Sequence, residues 1–211
     1  MSHSMIKRFP LTLLVLSAGG IWALVLSGNG WVIPLSFFAP LSIVVGAMSL
    51  LLLLFNNWAW AWPGISLVAK RPDLRGTWKG VIRSSWRGSD GPNLGIYGAY
   101  IVVYQTYTDL HLRLLTRESQ SITLAASLIC EPDGVYSIHA VYRNEPKQLI
   151  RSRSEIHRGG FVLRVGGSSS EQMAGDYWTD RQTFGELELQ RVSKERVGDF
   201  RTAESLKPPG E

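Results

Sequence analysis

A short segment near the C-terminal end carries the types of side chain that an anionic ligand needs. Tyr177, Thr179, Arg181 and Thr183 alternate along the segment 176–185, so they share one face of a strand pair. Arginine offers a planar pair of donors to a phosphate, and an aromatic ring can stack on a nucleobase. These four residues therefore form a candidate nucleotide site. The alternative is a packed hairpin with Tyr177 in the core and Arg181 in solvent.

A second candidate cluster consists of basic residues at alternating positions. Arg151, Arg153 and His157 fall on one face if this segment is a strand, and three such groups can line a phosphate site. The alternative is an outward-facing basic surface. Trp78 lies in the first strand of the charged region, where a core role is favoured for it.

The remaining composition argues against catalysis and metal binding. Cys130 is the single cysteine, and the four histidines are not at ligand spacing, so we expect no metal and no cofactor. The sequence contains no phosphate-binding glycine loop before a helix and no nucleophile beside a histidine, so we expect that the protein is not an enzyme. A net charge of +5 is mild, which argues against binding to a nucleic-acid duplex.

The segments that must position these residues have the period-two pattern of strands. Turn-forming residues interrupt this pattern about every ten positions, which is typical of an all-β domain. We predict tight connections at 108–109, 132–134, 158–160 and 180–182. The predicted strands are Thr77 to Trp86, Tyr97 to Tyr107, Leu110 to Thr116, Ile122 to Cys130, Val135 to Tyr142, Leu149 to His157, Phe161 to Val165, Met173 to Trp178 and Thr183 to Arg191. Eight or nine consecutive antiparallel strands predict a small up-and-down β-barrel. In the last strand, Leu187 and Leu189 should face inward.

The region before the barrel has a different character. None of the 39 charged side chains lies in the 61 residues from Phe9 to Ala69. Two apolar segments, Phe9 to Leu26 and Leu35 to Trp60, are each long enough to cross a bilayer, and tryptophans flank them. We therefore predict a transmembrane helical hairpin over residues 1–69, a cytoplasmic barrel over 70–192 and a disordered polar tail over 193–211, with a short helical piece allowed in the tail.

Basic residues predict the orientation of this hairpin. Lys7 and Arg8 precede it, and Lys70 and Arg71 follow it, so both termini of this two-pass protein should face the cytoplasm. The alternative for the first segment is a cleaved signal peptide, since small residues follow its apolar core.

Three features together resemble a known family. They are the two apolar helices, the motif Arg75–Gly80 (RGTWKG) and the closing segment Gly175–Leu189 (GDYWTDRQTFGELEL). The combination is similar to the SMODS-associating two-transmembrane, β-strand-rich effectors of bacterial CBASS anti-phage defence. The resemblance implies a barrel that binds a cyclic di- or oligonucleotide from a partner cyclase. It makes the residues within the two motifs candidates for ligand contact, namely Trp78 in the first motif and Tyr177, Thr179, Arg181 and Thr183 in the second. It also implies a homo-oligomer that forms on ligand binding and disrupts the inner membrane.

Two alternatives to this function remain open from the sequence. One is a membrane-tethered, lipocalin-like carrier or assembly factor that binds an apolar ligand or a protein. The other is a structural envelope protein with a filled barrel. Basic and hydroxyl groups inside the barrel would favour a nucleotide, whereas a continuous lining of leucine, valine and phenylalanine would favour a lipid.

Overall fold

The computed structural model describes residues 38–86, 95–166 and 171–206, together with positions 19, 20, 23 and 27. The chain divides into two compact units between Leu53 and Leu54. This division lies earlier than the boundary expected at residue 69. Within the described residues, the helices with defined bounds are α1 (Phe38–Asn57), α2 (Ile65–Ala69) and α3 (Phe200–Glu204).

Most of the first predicted membrane segment, and the loop that follows it, lie outside the described residues. Its described positions Gly19, Gly20 and Ala23 are helical. In α1 the only proline, Pro40, falls in the first turn, where its missing backbone donor costs no hydrogen bond. None of the helices in the described parts of the chain has both the length and the hydropathy that crossing a bilayer requires. The two-helix hairpin stays a prediction.

Trp60, one of the tryptophans that flank the predicted membrane segments, was expected at a membrane surface, but the structure buries it. It follows α1 in a short 3₁₀ turn and is fully buried. Its ring lies 6.4 Å from that of Tyr107 and 5.2 Å from the guanidinium carbon of Arg75. The apolar residues just after α1 therefore belong in part to the core of the second unit. Trp58 and Trp62 are exposed.

Eight antiparallel strands form a closed barrel in which each strand pairs with the next and the last pairs with the first. They are β1 (Gly76–Ser84), β2 (Gly95–Gln105), β3 (Leu110–Leu115), β4 (Ser119–Cys130), β5 (Tyr136–Pro146), β6 (His157–Gly166), β7 (Gln172–Thr179) and β8 (Phe184–Ser193). The predicted barrel is confirmed. The expected inner face of β8 is also correct, because Leu187 and Leu189 are buried whereas Phe184 is exposed.

Two local predictions within the barrel are wrong. The strand expected at Leu149–His157 is a 3₁₀ turn at Gln148–Ile150 followed by further turns, and Leu149 is 92% exposed. Alternating arginine and serine give that segment no apolar face to bury. The connection expected at 158–160 instead lies inside β6. A Cβ at Gly159 would come within 2.5 Å of the Tyr142 hydroxyl. This glycine is therefore needed because the Tyr142 ring packs against it, and not because the chain turns there.

The inner faces of the strands gain polar side chains toward one end of the barrel. The other end is filled by side chains that form a buried apolar cluster. These include Trp78, Val103, Ile138, Leu163 and Met173. The polar end receives the described connections β3–β4, β5–β6 and β7–β8, and its inward side chains are a mixture of polar and apolar groups. We call these the closed end and the mouth.

The closed end is held by Arg191 and Trp78. Arg191 lies 4.9 Å over the Trp78 ring, donates to the Asp73 carbonyl at 2.7 Å and pairs with Glu171 at 3.0 Å. The Trp78 Nε1 donates to the Leu74 carbonyl at 2.9 Å. Burial raises the pKa of Asp73, but hydrogen bonds from Arg75 lower this pKa by more than burial raises it. The net shift of the pKa is downward. The segment before β1 is thereby fixed to the closed end of the barrel.

Part of the segment expected to be disordered is packed. Asp199 caps α3 by accepting from the Thr202 amide at 3.0 Å. Val197 and Ala203 are buried in a second cluster with Tyr100, Val102 and Leu115, away from the barrel core. Phe200 and Glu204 reach the mouth. This arm, residues 194–206, therefore covers an outer strip of β2 and β3.

Truncating a buried residue of the arm should destabilise the second unit. Val197→Ala removes two methyl groups from a side chain that is 7% exposed, which should lower the free energy of unfolding by about 1 to 2 kcal/mol. Val68→Ala is the matched control, because Val68 is 84% exposed and its change should stay within about 0.5 kcal/mol. Urea unfolding measures both. Equal stability of the two variants would show that the arm is not part of the folded unit.

Candidate ligand-binding site

The mouth of the barrel opens into a cavity of about 470 Å³, within the size range of small-molecule sites. The cavity is lined by four kinds of group. Aromatic rings and aliphatic side chains form its floor, and they include Tyr97, Tyr142, Phe161 and Tyr177 with Ile82, Ile101, Leu112, Leu114 and Leu187. Hydroxyl and amide groups form the wall above them. Charged side chains stand at the rim. The opposite, apolar half of the barrel is filled.

The β7–β8 hairpin brings the four predicted residues together. Tyr177, Thr179, Arg181 and Thr183 all line the cavity. The turn closes through Thr179 N to the Thr183 carbonyl at 2.8 Å, and Gln182 takes a left-handed backbone conformation with φ 61°. The Thr179 and Thr183 hydroxyls lie 2.6 Å apart. Whether they contact a ligand stays a prediction.

Arg181 is the least compensated charge in the site. Among the described residues, its guanidinium makes one hydrogen bond, a long one of 3.4 Å to the Ser154 hydroxyl, and its buried Nε has no partner there. Within the described part of the chain, no carboxylate lies within ion-pair distance of Arg181. Two cations nearby differ, since Arg117 at the rim pairs with Glu204 at 3.5 Å and Arg153, outside the cavity lining, pairs with Glu118 at 2.5 Å. A partly buried cation with unused donors favours an anionic ligand.

Two tyrosine hydroxyls stay protonated at neutral pH. Burial raises the pKa of Tyr142 and also that of Tyr177, where the hydrogen bond with Ser84 opposes the rise in part. The Tyr177 hydroxyl donates to Ser84 Oγ. The Tyr142 and Phe161 rings stack with centroids 5.9 Å apart. The floor of the site thus offers aromatic faces and neutral hydroxyls, which suit a stacked base.

The basic cluster predicted at Arg151, Arg153 and His157 is not formed, because no strand holds the three residues in line. Arg151 is exposed and donates to the Pro146 carbonyl at 3.3 Å, and Arg153 is exposed and paired. Of these three only His157 lines the cavity. Burial lowers the pKa of His157 and Arg181 lowers it further, although a hydrogen bond to the Glu155 carbonyl opposes them. The lowered pKa favours the neutral ring of His157 at pH 7, and its contact with a ligand stays a prediction.

Comparison with protein families decides among the functions left open. Residues 69–191 match the family model described as Cap15, cyclic dinucleotide receptor domain. The chain belongs to this family. A comparison with curated proteins found no match. The predicted family resemblance is confirmed, and a cyclic nucleotide is the ligand class of the barrel.

The Cap15 receptor domain spans the barrel from just before β1 to Arg191, so α3 lies outside the match. Its two sequence motifs lie at opposite ends of the barrel. The motif around Trp78 is at the closed end, where Trp78 is completely buried and does not line the cavity. The closing motif forms the mouth. The expectation of a core position for Trp78 is thus confirmed.

A polar wall on the other side of the mouth was not predicted from the sequence. Ser121 and Thr123 of β4 and Asn144 of β5 line the cavity, and each is at most 7% exposed. The Ser121 hydroxyl donates to Asn144 Oδ1 at 2.9 Å. Polar residues in a strand usually indicate its solvent face. Asn144 lies two positions after the aromatic Tyr142 and therefore on the same face of β5, which was the available signal that Asn144 points inward.

Proposed function

We propose that this protein is a CBASS effector in which the mouth binds a cyclic dinucleotide and the N-terminal region acts on the inner membrane. The observation that carries the ligand site is Arg181, a partly buried guanidinium without a carboxylate partner at the rim of a hydroxyl-lined cavity. In this proposal Arg181 pairs with a phosphate and the aromatic floor stacks a base. Tyr177, Thr179 and Thr183 add polar contacts. The protein acts as a receptor rather than as an enzyme.

The membrane part of the proposal is supported by the N-terminal sequence. The charge-free stretch from Phe9 to Ala69 can supply two spans, and basic residues on both sides favour cytoplasmic termini. In α1, the large side chains Val45, Met48 and Leu50–Leu53 are 52 to 63% exposed. Apolar surface of this extent favours a lipid or protein partner. A messenger made by a cyclase inside the cell would then meet the barrel on the cytoplasmic side.

The proposed output is ligand-induced association of these helices. Clustering of barrels raises the effective concentration of the attached helices, so association needs no new contact in the membrane. Small residues such as Gly19, Gly20 and Gly46 allow close helix approach. Assembly of the homo-oligomer would then disrupt the inner membrane and arrest the infected cell.

Ligand-dependent stability tests the receptor function. Purified full-length protein in detergent should gain about 2.7 kcal/mol of unfolding free energy at a cyclic dinucleotide concentration of one hundred times its Kd. Thermal unfolding with a panel of cyclic di- and trinucleotides and a fatty acid measures this gain. Stabilisation by the fatty acid alone would support the carrier alternative. No shift with any cyclic nucleotide would refute the proposed function.

A further inference from the structure

Two polar side chains on neighbouring strands face each other inside the cavity, and neither is used by the proposed phosphate contact. Asn144 of β5 lies directly opposite His157 of β6 in the register of the barrel. Both line the cavity. Directly opposite residues in an antiparallel pair have Cβ atoms about 4.5 to 5.5 Å apart. The two side chains can therefore contact adjacent atoms of one ligand group.

The Asn144 side chain presents a hydrogen-bond donor. Asn144 is 7% exposed, and its Oδ1 accepts from the Ser121 hydroxyl at 2.9 Å. This hydrogen bond fixes the amide orientation and leaves Nδ2 directed to another side. Among the residues that the structure describes, none accepts a hydrogen bond from that nitrogen. The Nδ2 group of Asn144 is therefore a donor that faces the cavity and is available to an acceptor from water or a ligand.

The His157 ring presents a hydrogen-bond acceptor. Its Nδ1 lies 2.9 Å from the Glu155 carbonyl oxygen. A carbonyl oxygen can only accept, so Nδ1 carries the hydrogen and Nε2 of the neutral ring carries the lone pair. Burial and the nearby Arg181 both lower the pKa of His157, against the opposing effects of Glu155 and Asp180. These effects favour the neutral ring at pH 7.

We infer that Asn144 and His157 recognise the edge of a nucleobase, Asn144 through a donated hydrogen bond and His157 through an accepted one. This inference rests on the proposed function, because it assigns the base as well as the phosphate of a cyclic dinucleotide. A base edge offers an acceptor beside a donor, such as a ring nitrogen beside an exocyclic amine. An ionised phosphate diester has no donor for Nε2, and an apolar ligand has neither group.

The arrangement separates the two halves of the ligand within the mouth. Arg181 stands on the β7–β8 hairpin, whereas the Asn144 amide is fixed from β4 and β5 on the other side of His157. A phosphate on Arg181 would place a base toward this polar wall and above the aromatic floor. Ser121 is then a positioning residue, since it orients the Asn144 amide without needing to contact the ligand.

Binding of three probes to full-length protein in detergent at pH 8 tests the inference. The probes are cyclic di-AMP, cyclic di-GMP and the matching cyclic dinucleotide of unsubstituted purine, whose bases lack every exocyclic group. Wild-type protein should bind the better of the first two at least about 10-fold more tightly than the unsubstituted analogue. Titration calorimetry gives each Kd.

Two variants then assign the recognition to named atoms. His157→Phe should weaken binding of the preferred probe by roughly 10-fold but change the affinity for the unsubstituted analogue, which has no exocyclic amine to donate, by less than about 2-fold. Asn144→Leu should weaken binding of the preferred probe by roughly 10-fold, and it should weaken binding of the analogue as well where the acceptor is a ring nitrogen, which the analogue keeps. His157→Gln keeps an acceptor and should recover part of the loss. Ser121→Ala should give a smaller loss in the same direction, because it only releases the amide.

The outcomes distinguish this inference from the function on which it rests. Equal losses for all three probes in His157→Phe, or no loss for the preferred probe in Asn144→Leu, would overturn the inference alone. Wild-type protein without preference for a substituted base would do the same. Wild-type protein that binds none of the three probes would overturn the inference, and the absence of a stability shift with every cyclic nucleotide of the panel would overturn the proposed function as well.

Discussion

Arg181→Gln should weaken cyclic dinucleotide binding by roughly 10- to 150-fold, which corresponds to the loss of a charge-assisted hydrogen bond of about 1.5 to 3 kcal/mol. The expected loss is large because the guanidinium has no carboxylate partner among the described residues, so its donors are available to a phosphate. Glutamine keeps polar contact but loses the charge. Titration calorimetry on the full-length protein measures the change.

The same substitution should leave the empty barrel as stable as before or slightly more stable. A partly buried charge without a partner costs free energy in the unliganded protein, and Arg181→Gln removes that cost. Loss of binding together with retained stability is the signature of a residue kept for its ligand. Loss of both would indicate that Arg181 supports the hairpin instead, through its hydrogen bond to Ser154.

Arg158→Gln is the matched control for Arg181→Gln. Arg158 is exposed on β6, and its backbone bonds to Asp180 of the same hairpin, with N–H to Oδ2 and the carbonyl to N both at 3.0 Å. The substitution removes an equal charge close to the mouth but outside the cavity lining. It should change the Kd by less than about 3-fold, through screened long-range attraction alone. A loss as large as that of Arg181→Gln would mean that overall charge, and not a specific contact, drives binding.

The sequence predicted those parts of the barrel that depend on local pattern. Alternation in β8 predicted an inward Leu187 and Leu189, and the turn residues after Thr179 predicted the hairpin that holds Arg181. Both predictions depend only on the period of a strand and on the backbone preferences of turn residues. The family motif there gave the same result, and the match over residues 69–191 supports it.

The missed residues depend on partners that are distant in the sequence. The buried amide of Asn144 has a hydrogen-bond partner in Ser121, which is 23 positions earlier and lies opposite it on β4. No local pattern shows that a polar residue points into a cavity and not into solvent. The basic cluster failed for the opposite reason, since alternation of arginine with serine imitates a strand without supplying an apolar face. Trp60 is similar, because its burial depends on Tyr107 in a later loop.

The largest expected effect in cells separates ligand sensing from membrane action. Gly46→Arg places a guanidinium near the middle of α1, at a cost of roughly 2.5 to 3.5 kcal/mol if that helix lies in a bilayer. The charge would also block close approach of two helices at a small residue. Cyclase-triggered growth arrest should therefore be lost, whereas the cyclic dinucleotide Kd of the purified variant should stay within about 2-fold, because the cavity is in the other compact unit.

Gly46→Ala is the control that distinguishes charge from side-chain volume. Among the described atoms, nothing lies within 4 Å of a Cβ built at Gly46, and alanine favours a helix more than glycine does. Arrest should be retained in Gly46→Ala if charge is decisive, and reduced if association requires backbone contact at this glycine. Immunoblots of membrane fractions must show equal amounts of each variant. Growth arrest that persists in Gly46→Arg would show that the N-terminal region is only an anchor, and would assign the toxic step to the barrel.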